Sequence, residues 1–318
     1  MMRQASDRVM RAVVTAPGAA DPLKIAEVAR PTPLPQEALV RVQAFSLNAG
    51  ETRTAFAADC VYTPGWDFAG IVERISDDGK SPATGTPVFG SIPLGAWAEH
   101  ICVPGPELAV IPPGVTFEQA AALPVAALTA LHALESYGSA LGRRVLITGA
   151  SGGVGRYAAQ LAHLGGANVF LVSRRPTLAR LIQGDGVEGA TIFADVSAAS
   201  RHGSYDLILD SVGGPMLASA LDSLAPGGTC INFGNSSNEP TTFDVRRFYL
   251  KGNTTLRGLY LGAEPAGRAQ PLTRLALLVA EGKLRTPIDR TRSWVEIAEA
   301  ARSLVLQAVD GKSILVVD

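Results

Sequence analysis

The stretch that most limits what this chain can become runs from Arg144 to Leu164. A short β-rich run, RVLIT, meets Gly149-Ala150-Ser151-Gly152-Gly153-Val154-Gly155 and then passes directly into RYAAQLAHL. A strand turned tightly onto a helix N-terminus leaves free backbone N–H groups and a partial positive charge there, and small residues let a bound group approach the backbone. Ala150, Gly152 and Gly155 fill the three small positions of a dinucleotide-type fingerprint, with Ala at the first. Glycines before helices are otherwise only turns, so the surroundings decide. Runs of the same kind recur as NVFLVS (168–173), YDLILD (205–210) and TCINFG (229–234) with helical stretches between them, which predicts parallel βαβ units from about 119 to 258. The crossover after Ala194, DVSAASRHGS, lacks an apolar stripe and predicts at most one helical turn.

The end of the second strand bears on which dinucleotide fits. An NAD site has an Asp or Glu there, about 20 residues beyond the loop, to take the ribose hydroxyls. Here the strand ends in Ser173, Arg174 and Arg175. With two guanidiniums able to pair with a 2′-phosphate and no carboxylate to repel it, NADPH is expected over NADH; the alternative makes both arginines the solvated start of the helix PTLARLI. Ser211, Val212 and Gly213, and Gly234, Asn235 and Ser236, follow two other strands, where open α/β sheets bind ligands; they are assigned to the nicotinamide side.

The flanks read differently. Residues 10 to about 118 alternate short apolar runs with Pro and Gly, with Val40, Val42 and Ala44 at period two, which predicts mostly antiparallel sheet. From about 259 that texture returns, broken by one amphipathic helix carrying Ile297, Ala300, Ala301, Leu304, Val305 and Ala308, which Gly311 is expected to stop. The 318 residues suffice for about two domains. Charged residues are only 18% and the net charge is −1, so no nucleic-acid partner is expected. Cys60, Cys102 and Cys230 fit neither a disulfide framework nor paired metal ligands. The start MMRQASDRVMR has no apolar stretch behind its charges, and the most apolar run, Ala120 to Leu134, is interrupted by Pro124 and His132. A cytoplasmic protein without a membrane partner is expected. The four histidines are scattered and suggest no Ser-His-Asp order.

SLN (46–48), PGWDFAG (64–70), GAWAEH (95–100), ALPVAALTAL (122–131), GASGGVG (149–155), LDSVGG (209–214), LAPGGTCINFG (224–234) and GKSILVV (311–317) span almost the whole chain. In that order they resemble the zinc-independent quinone oxidoreductase and enoyl reductase branch of the medium-chain dehydrogenase/reductases. The resemblance implies an α/β fold: a Rossmann-type doubly wound parallel sheet, residues 119–258, inserted into a mostly antiparallel chaperonin-10-like (GroES-like) catalytic domain made of 1–118 and 259–318, with the active site in the cleft. It places Asn48, Trp66 and Val125 where zinc-dependent members carry metal ligands, and none is a usable zinc ligand. Asp67 lies where such enzymes carry a second-sphere Glu.

Without zinc, reduction of an isolated ketone is disfavoured, whereas a quinone or α,β-unsaturated carbonyl delocalises the incoming charge. By resemblance Asn48 hydrogen-bonds substrate or the nicotinamide ribose, Tyr62 donates a proton and Thr129 lies beside the nicotinamide. Ordinary readings stand beside these: a turn Asn, a Tyr packed at the rim, and a helix Thr bonded to its own turn. A homodimer is expected, paired through an exposed edge strand at 253–261. The expected activity is NADPH-dependent reduction of a quinone or conjugated carbonyl. The alternatives are an enoyl-thioester reductase and a non-catalytic NADPH-binding protein.

Overall fold

The computed structural model describes residues 9–175 and 177–318. The first eight residues and Pro176, the latter opening the PTLARLI segment, lie outside the described residues. In chain order the elements begin with β1 (Val9–Thr15), β2 (Leu23–Ala29), β3 (Glu37–Leu47), α1 (Ala49–Phe56), β4 (Asp67–Arg74), β5 (Pro87–Ser91), β6 (His100–Pro104), β7 (Ala109–Val110), α2 (Phe117–Ala121) and α3 (Pro124–Tyr137). The alternating part follows: β8 (Arg144–Ile147), α4 (Gly153–Leu164), β9 (Asn168–Val172), α5 (Leu178–Gly184), β10 (Thr191–Phe193), α6 (Val196–His202), β11 (Tyr205–Asp210), α7 (Gly214–Leu221), β12 (Leu224–Asn232), α8 (Val245–Leu250) and β13 (Thr255–Gly258). The chain closes with α9 (Ala269–Ala280), β14 (Ile288–Ser293), α10 (Ile297–Val305) and β15 (Lys312–Val316).

Two compact units result. One comprises Met1–Val125 with Glu264–Asp318, the other Ala126–Ala263. Both boundaries differ from the sequence reading at 118 and 258. Helix α2 packs on β3 and β4 and so falls in the first unit, while Leu259 donates its N–H to Asn232 O at 2.8 Å and stays with the second.

The first unit holds a seven-stranded sheet ordered β14-β15-β3-β4-β5-β7, with β6 also paired to β3; a separate ribbon joins β1 and β2. Only β14 and β15 run parallel in that sheet; its remaining pairs are antiparallel. The period-two residues Val40, Val42 and Ala44 are buried, as the alternation predicts. Phe45 stacks on Trp97 at 5.9 Å and meets Trp294 edge-on at 6.5 Å, three rings with no exposure that anchor this core.

The second unit is a six-stranded parallel sheet ordered β10-β9-β8-β11-β12-β13. From β8 the chain winds outward through β9 to β10, then returns to start the other half at β11. The order therefore reverses between β8 and β11, which is where open sheets of this type take ligands.

Three local expectations need correction. The crossover after Ala194 is a seven-residue helix, α6, because Asp195 caps it by accepting from Ala198 N at 2.7 Å and because Val196 and Ala199 are buried. The C-terminal part has a second amphipathic helix, α9, whose Leu272, Leu275 and Ala276 are buried with Pro271 tolerated in its first turn. Helix α10 ends at Val305, well before Gly311. Gln307 takes the left-handed conformation (φ 55°), its N–H bonds Leu304 O, and Ala308 N–H bonds Ser303 O, a Schellman closure without glycine. No helix among the described residues is long and apolar enough to cross a membrane.

Candidate active site

In the second unit, Gly149–Gly155 form the turn from β8 into α4, with Gly152 as the helix N-cap. Gly155 is required by contact. A Cβ there would lie 2.5 Å from Gly149 O and 2.7 Å from Ala150 Cα, so only glycine lets the helix sit this close to the turn. At Gly152 a Cβ would meet only Gly149 O, at 3.4 Å, and would otherwise project into open space beside the helix N-terminus. A cradle of backbone N–H groups that a side chain would fill fits a pyrophosphate.

The neighbouring strand ends are pinned by Asp210, a fully buried carboxyl that the sequence reading did not single out. It accepts from Thr148 Oγ1 at 2.6 Å, from Gly213 N at 2.9 Å and from Asn232 Nδ2 at 2.8 Å, and so ties the ends of β8, β11 and β12 together. Ser236 N–H bonds Ser211 O at 3.1 Å, and Asn232 Nδ2 also bonds Gly234 O at 2.8 Å. Ser211, Val212 and Gly213 are thereby brought against Gly234, Asn235 and Ser236 at the carboxyl ends of the parallel strands. Ser151, Gly153 and Val154 are half-buried in the turn, and Thr129 is buried in α3.

After β9, Ser173 Oγ accepts from Arg175 N at 3.1 Å; Arg174 is exposed and Arg175 half-buried. Helix α5, which follows, is fastened to α4 by a buried bidentate pair. Arg156 Nε and Nη2 donate to Asp185 at 2.6 and 2.5 Å.

In the first unit a polar cluster surrounds Asn48, which caps β3 and opens α1. Asn48 N and Nδ2 donate to Glu51 Oε1 at 2.8 and 2.9 Å, and Nδ2 also donates to Asp67 Oδ2 at 2.8 Å. Asp67 has no exposure. Its Oδ2 accepts from Ser46 Oγ at 2.6 Å, and its Oδ1 accepts from Val125 N at 3.0 Å. Lys312 enters from β15, whose Ser313 lies opposite Leu47 in the ladder. Its Nζ donates to Asn48 Oδ1 at 2.6 Å, Leu47 O at 3.1 Å and Asp67 Oδ2 at 3.3 Å.

Glu51 is 4% exposed, and its Oε2 is buried without a hydrogen-bond partner. Burial raises its pKa well above the carboxylate range, and the Asp67 charge raises it further. Lys312 and the Asn48 donors offset only part of this. Both Asn48 amide hydrogens are thus committed within the protein, leaving only Oδ1 to interact with anything further. A role in donating to a substrate oxyanion is thereby removed, and a role in accepting a hydroxyl is kept.

Tyr62 lines an open hollow of about 560 Å³ with Thr54, Ala58, Cys60 and Leu94. Its phenol pKa is raised, first by burial and then by Cys60.

A family model described as "Zinc-binding dehydrogenase" matches residues 187–315. The chain is 28% identical to the quinone oxidoreductase of Pseudomonas aeruginosa, covering 89% of this chain and 92% of that protein. A solved quinone oxidoreductase from Pseudomonas syringae superposes with a TM-score of 0.85 at 26% identity, covering 96% and 99% of the two chains. The chain is thus similar to quinone oxidoreductases and zinc-binding dehydrogenases of the medium-chain dehydrogenase/reductase superfamily. Relatives of this superfamily also occur inside much larger proteins. A mycocerosic acid synthase-like polyketide synthase of Mycobacterium tuberculosis is 29% identical over 96% of this chain, which spans 15% of that synthase's length.

Members named for zinc raise the question of a metal in this chain. The three places that the resemblance equates with zinc ligands are otherwise engaged: Asn48 faces the Lys312 ammonium, Trp66 packs its indole against Gly50, and Val125 contributes its backbone N–H to Asp67. No three His, Cys, Asp or Glu among the described residues group to hold an ion. This donor set does not fit catalytic zinc.

Of the residues in this cluster, Asn48 and Asp67 were legible from the motifs, and Glu51 and Lys312 were not singled out. Glu51 had a usable signal in N-x-x-E at a helix start. Lys312 had none beyond its strand.

Proposed function

We propose that this chain is an NADPH-dependent, zinc-independent reductase of quinones or α,β-unsaturated carbonyls. The observation that carries this reading is the Gly149–Gly155 cradle at the sheet's switch point, followed after β9 by Ser173, Arg174 and Arg175 with no carboxylate among them. In this reading the turn and the α4 N-terminus take the pyrophosphate, Arg174 and Arg175 take the 2′-phosphate, and Thr129, Ser211–Gly213 and Gly234–Ser236 hold the nicotinamide end. A nicotinamide dinucleotide bound there supplies a hydride. Asn48 Oδ1 accepts a hydroxyl of cofactor or substrate. Tyr62 donates a hydrogen bond or proton to the reduced acceptor. An acceptor that spreads its charge into a phenolate or enolate suits a site without a Lewis acid.

The experiment is calorimetric titration with NADPH, followed by steady-state NADPH oxidation with a quinone panel and with crotonyl thioesters. Tight NADPH binding with turnover of a conjugated acceptor supports the reading. No heat with NADPH, or no turnover with any such acceptor, overturns it. A second reading, an enoyl-thioester reductase, draws on the near-full-length match within the polyketide synthases, and faster turnover of the thioesters would select it. We also propose a homodimer, because β13 is an exposed edge strand with unpaired backbone on one side. The three free cysteines suit the reducing cytoplasm.

A further inference from the structure

Lys312 is 3% exposed in the first unit, and its Nζ has three acceptors, Leu47 O, Asn48 Oδ1 and Asp67 Oδ2, which match the three hydrogens of an ammonium. An ammonium only donates, and that fixes the Asn48 carboxamide. A primary amide can be turned over so that oxygen and nitrogen exchange places, and two carboxyl groups with a proton between them could accommodate either orientation. Opposite Lys312 only the oxygen is tolerated, so Nδ2 must face Glu51 and Asp67, as it does.

We propose that Lys312 is a positioning residue of the site: the cation around which Ser46, Asn48, Glu51 and Asp67 are arranged, holding Asn48 Oδ1 in the orientation in which it meets its hydroxyl partner. The positive charge that zinc-dependent members of the superfamily take from a metal is supplied here by the last strand of the chain. The role of Asn48 in turnover rests on the reductase reading; the orientation of its amide does not.

The test is a double-mutant cycle of Lys312→Met, Asn48→Ala and the pair, read by steady-state NADPH oxidation with a quinone and by hydrogen exchange of the Asn48 side-chain amide in ¹⁵N-edited NMR. Displacing a positioned group by an ångström costs about a hundredfold in rate. Lys312→Met is therefore expected to lower kcat by about ten- to a hundredfold, with the NADPH KM held within about twofold. The pair is expected to be no slower than Asn48→Ala alone, and the Asn48 amide hydrogens to exchange about tenfold faster in Lys312→Met than in wild type.

Wild-type kcat in Lys312→Met, additive losses in the pair, or unchanged amide exchange each overturn the proposal. If wild type reduces no acceptor, the reductase reading falls and amide exchange alone decides on Lys312: faster exchange sustains its role and unchanged exchange ends it. Should Lys312→Met fail to fold with Asp67 stranded, Lys312→Met/Asp67→Asn removes both charges together. The same measurements are then read against Asp67→Asn.

Discussion

Replacing Glu51 by glutamine isolates the one proton that the buried cluster is expected to hold. In the folded chain Glu51 lies 4% exposed with its pKa pushed up by burial and by Asp67, whereas in the unfolded chain it titrates near 4.3 as an ordinary glutamate. Above that pH the folded state keeps a proton that the unfolded state has lost. Stability from this group is therefore fully present below the unfolded pKa and is lost as pH rises toward the folded value. One proton corresponds to a slope of about 1.4 kcal/mol per pH unit. Glutamine keeps the shape and carries no titrating proton, so the stability of Glu51→Gln relative to wild type should climb with that slope from about pH 5 upward. The other carboxyl groups are common to both chains and cancel. The assay is urea unfolding of both proteins from pH 5 to 8. It is read by tryptophan fluorescence, because Trp66, Trp97 and Trp294, the chain's three tryptophans, all lie in the first unit and report on it alone. A difference that stays flat with pH, or falls, refutes the claim that Glu51 is protonated in the fold.

Three further outcomes follow from the second unit. Gly155→Ala gains up to about 1 kcal/mol of helix propensity and forces a backbone contact of 2.5 Å, an overpacking that costs about 1–3 kcal/mol; the melting temperature should fall and NADPH should bind more weakly by calorimetry. Arg174→Ala with Arg175→Ala should weaken NADPH by about ten- to a hundredfold and leave NADH nearly untouched, and equal weakening of both cofactors defeats the phosphate-pairing argument. Arg156→Met strands the buried Asp185 carboxylate and should cost about 3–5 kcal/mol in chemical unfolding, whereas Arg156→Met with Asp185→Leu should recover much of it.

The second unit was the more legible because its signals are local. A strand, a glycine turn and a helix are adjacent in sequence, and Gly155 announces the close approach it makes. The helices misjudged from sequence failed for local reasons too: α6 is carried by a single capping Asp195 and two buried residues, and α10 is stopped by a left-handed Gln307 where glycine was expected. The first unit's cluster was only half visible. Asn48 and Glu51 are three residues apart, but Lys312 meets them through sheet pairing, and no periodicity at position 312 distinguishes a buried ammonium from a solvated one. Asp210 was hidden for the same reason, since its three partners come from three different segments.

The placement of β15 beside β3 has a consequence for how the molecule is made. Asn48 waits for a partner 264 positions further along the chain, and the ladder from Ser313–Leu47 to Val316–Ala44 cannot form until those last residues have left the ribosome. The parallel sheet of the second unit, by contrast, is fully synthesised by Gly258 and is free to fold earlier. During that interval the Ala44–Leu47 end of β3, beyond the part that β6 covers, is an open template for a foreign strand.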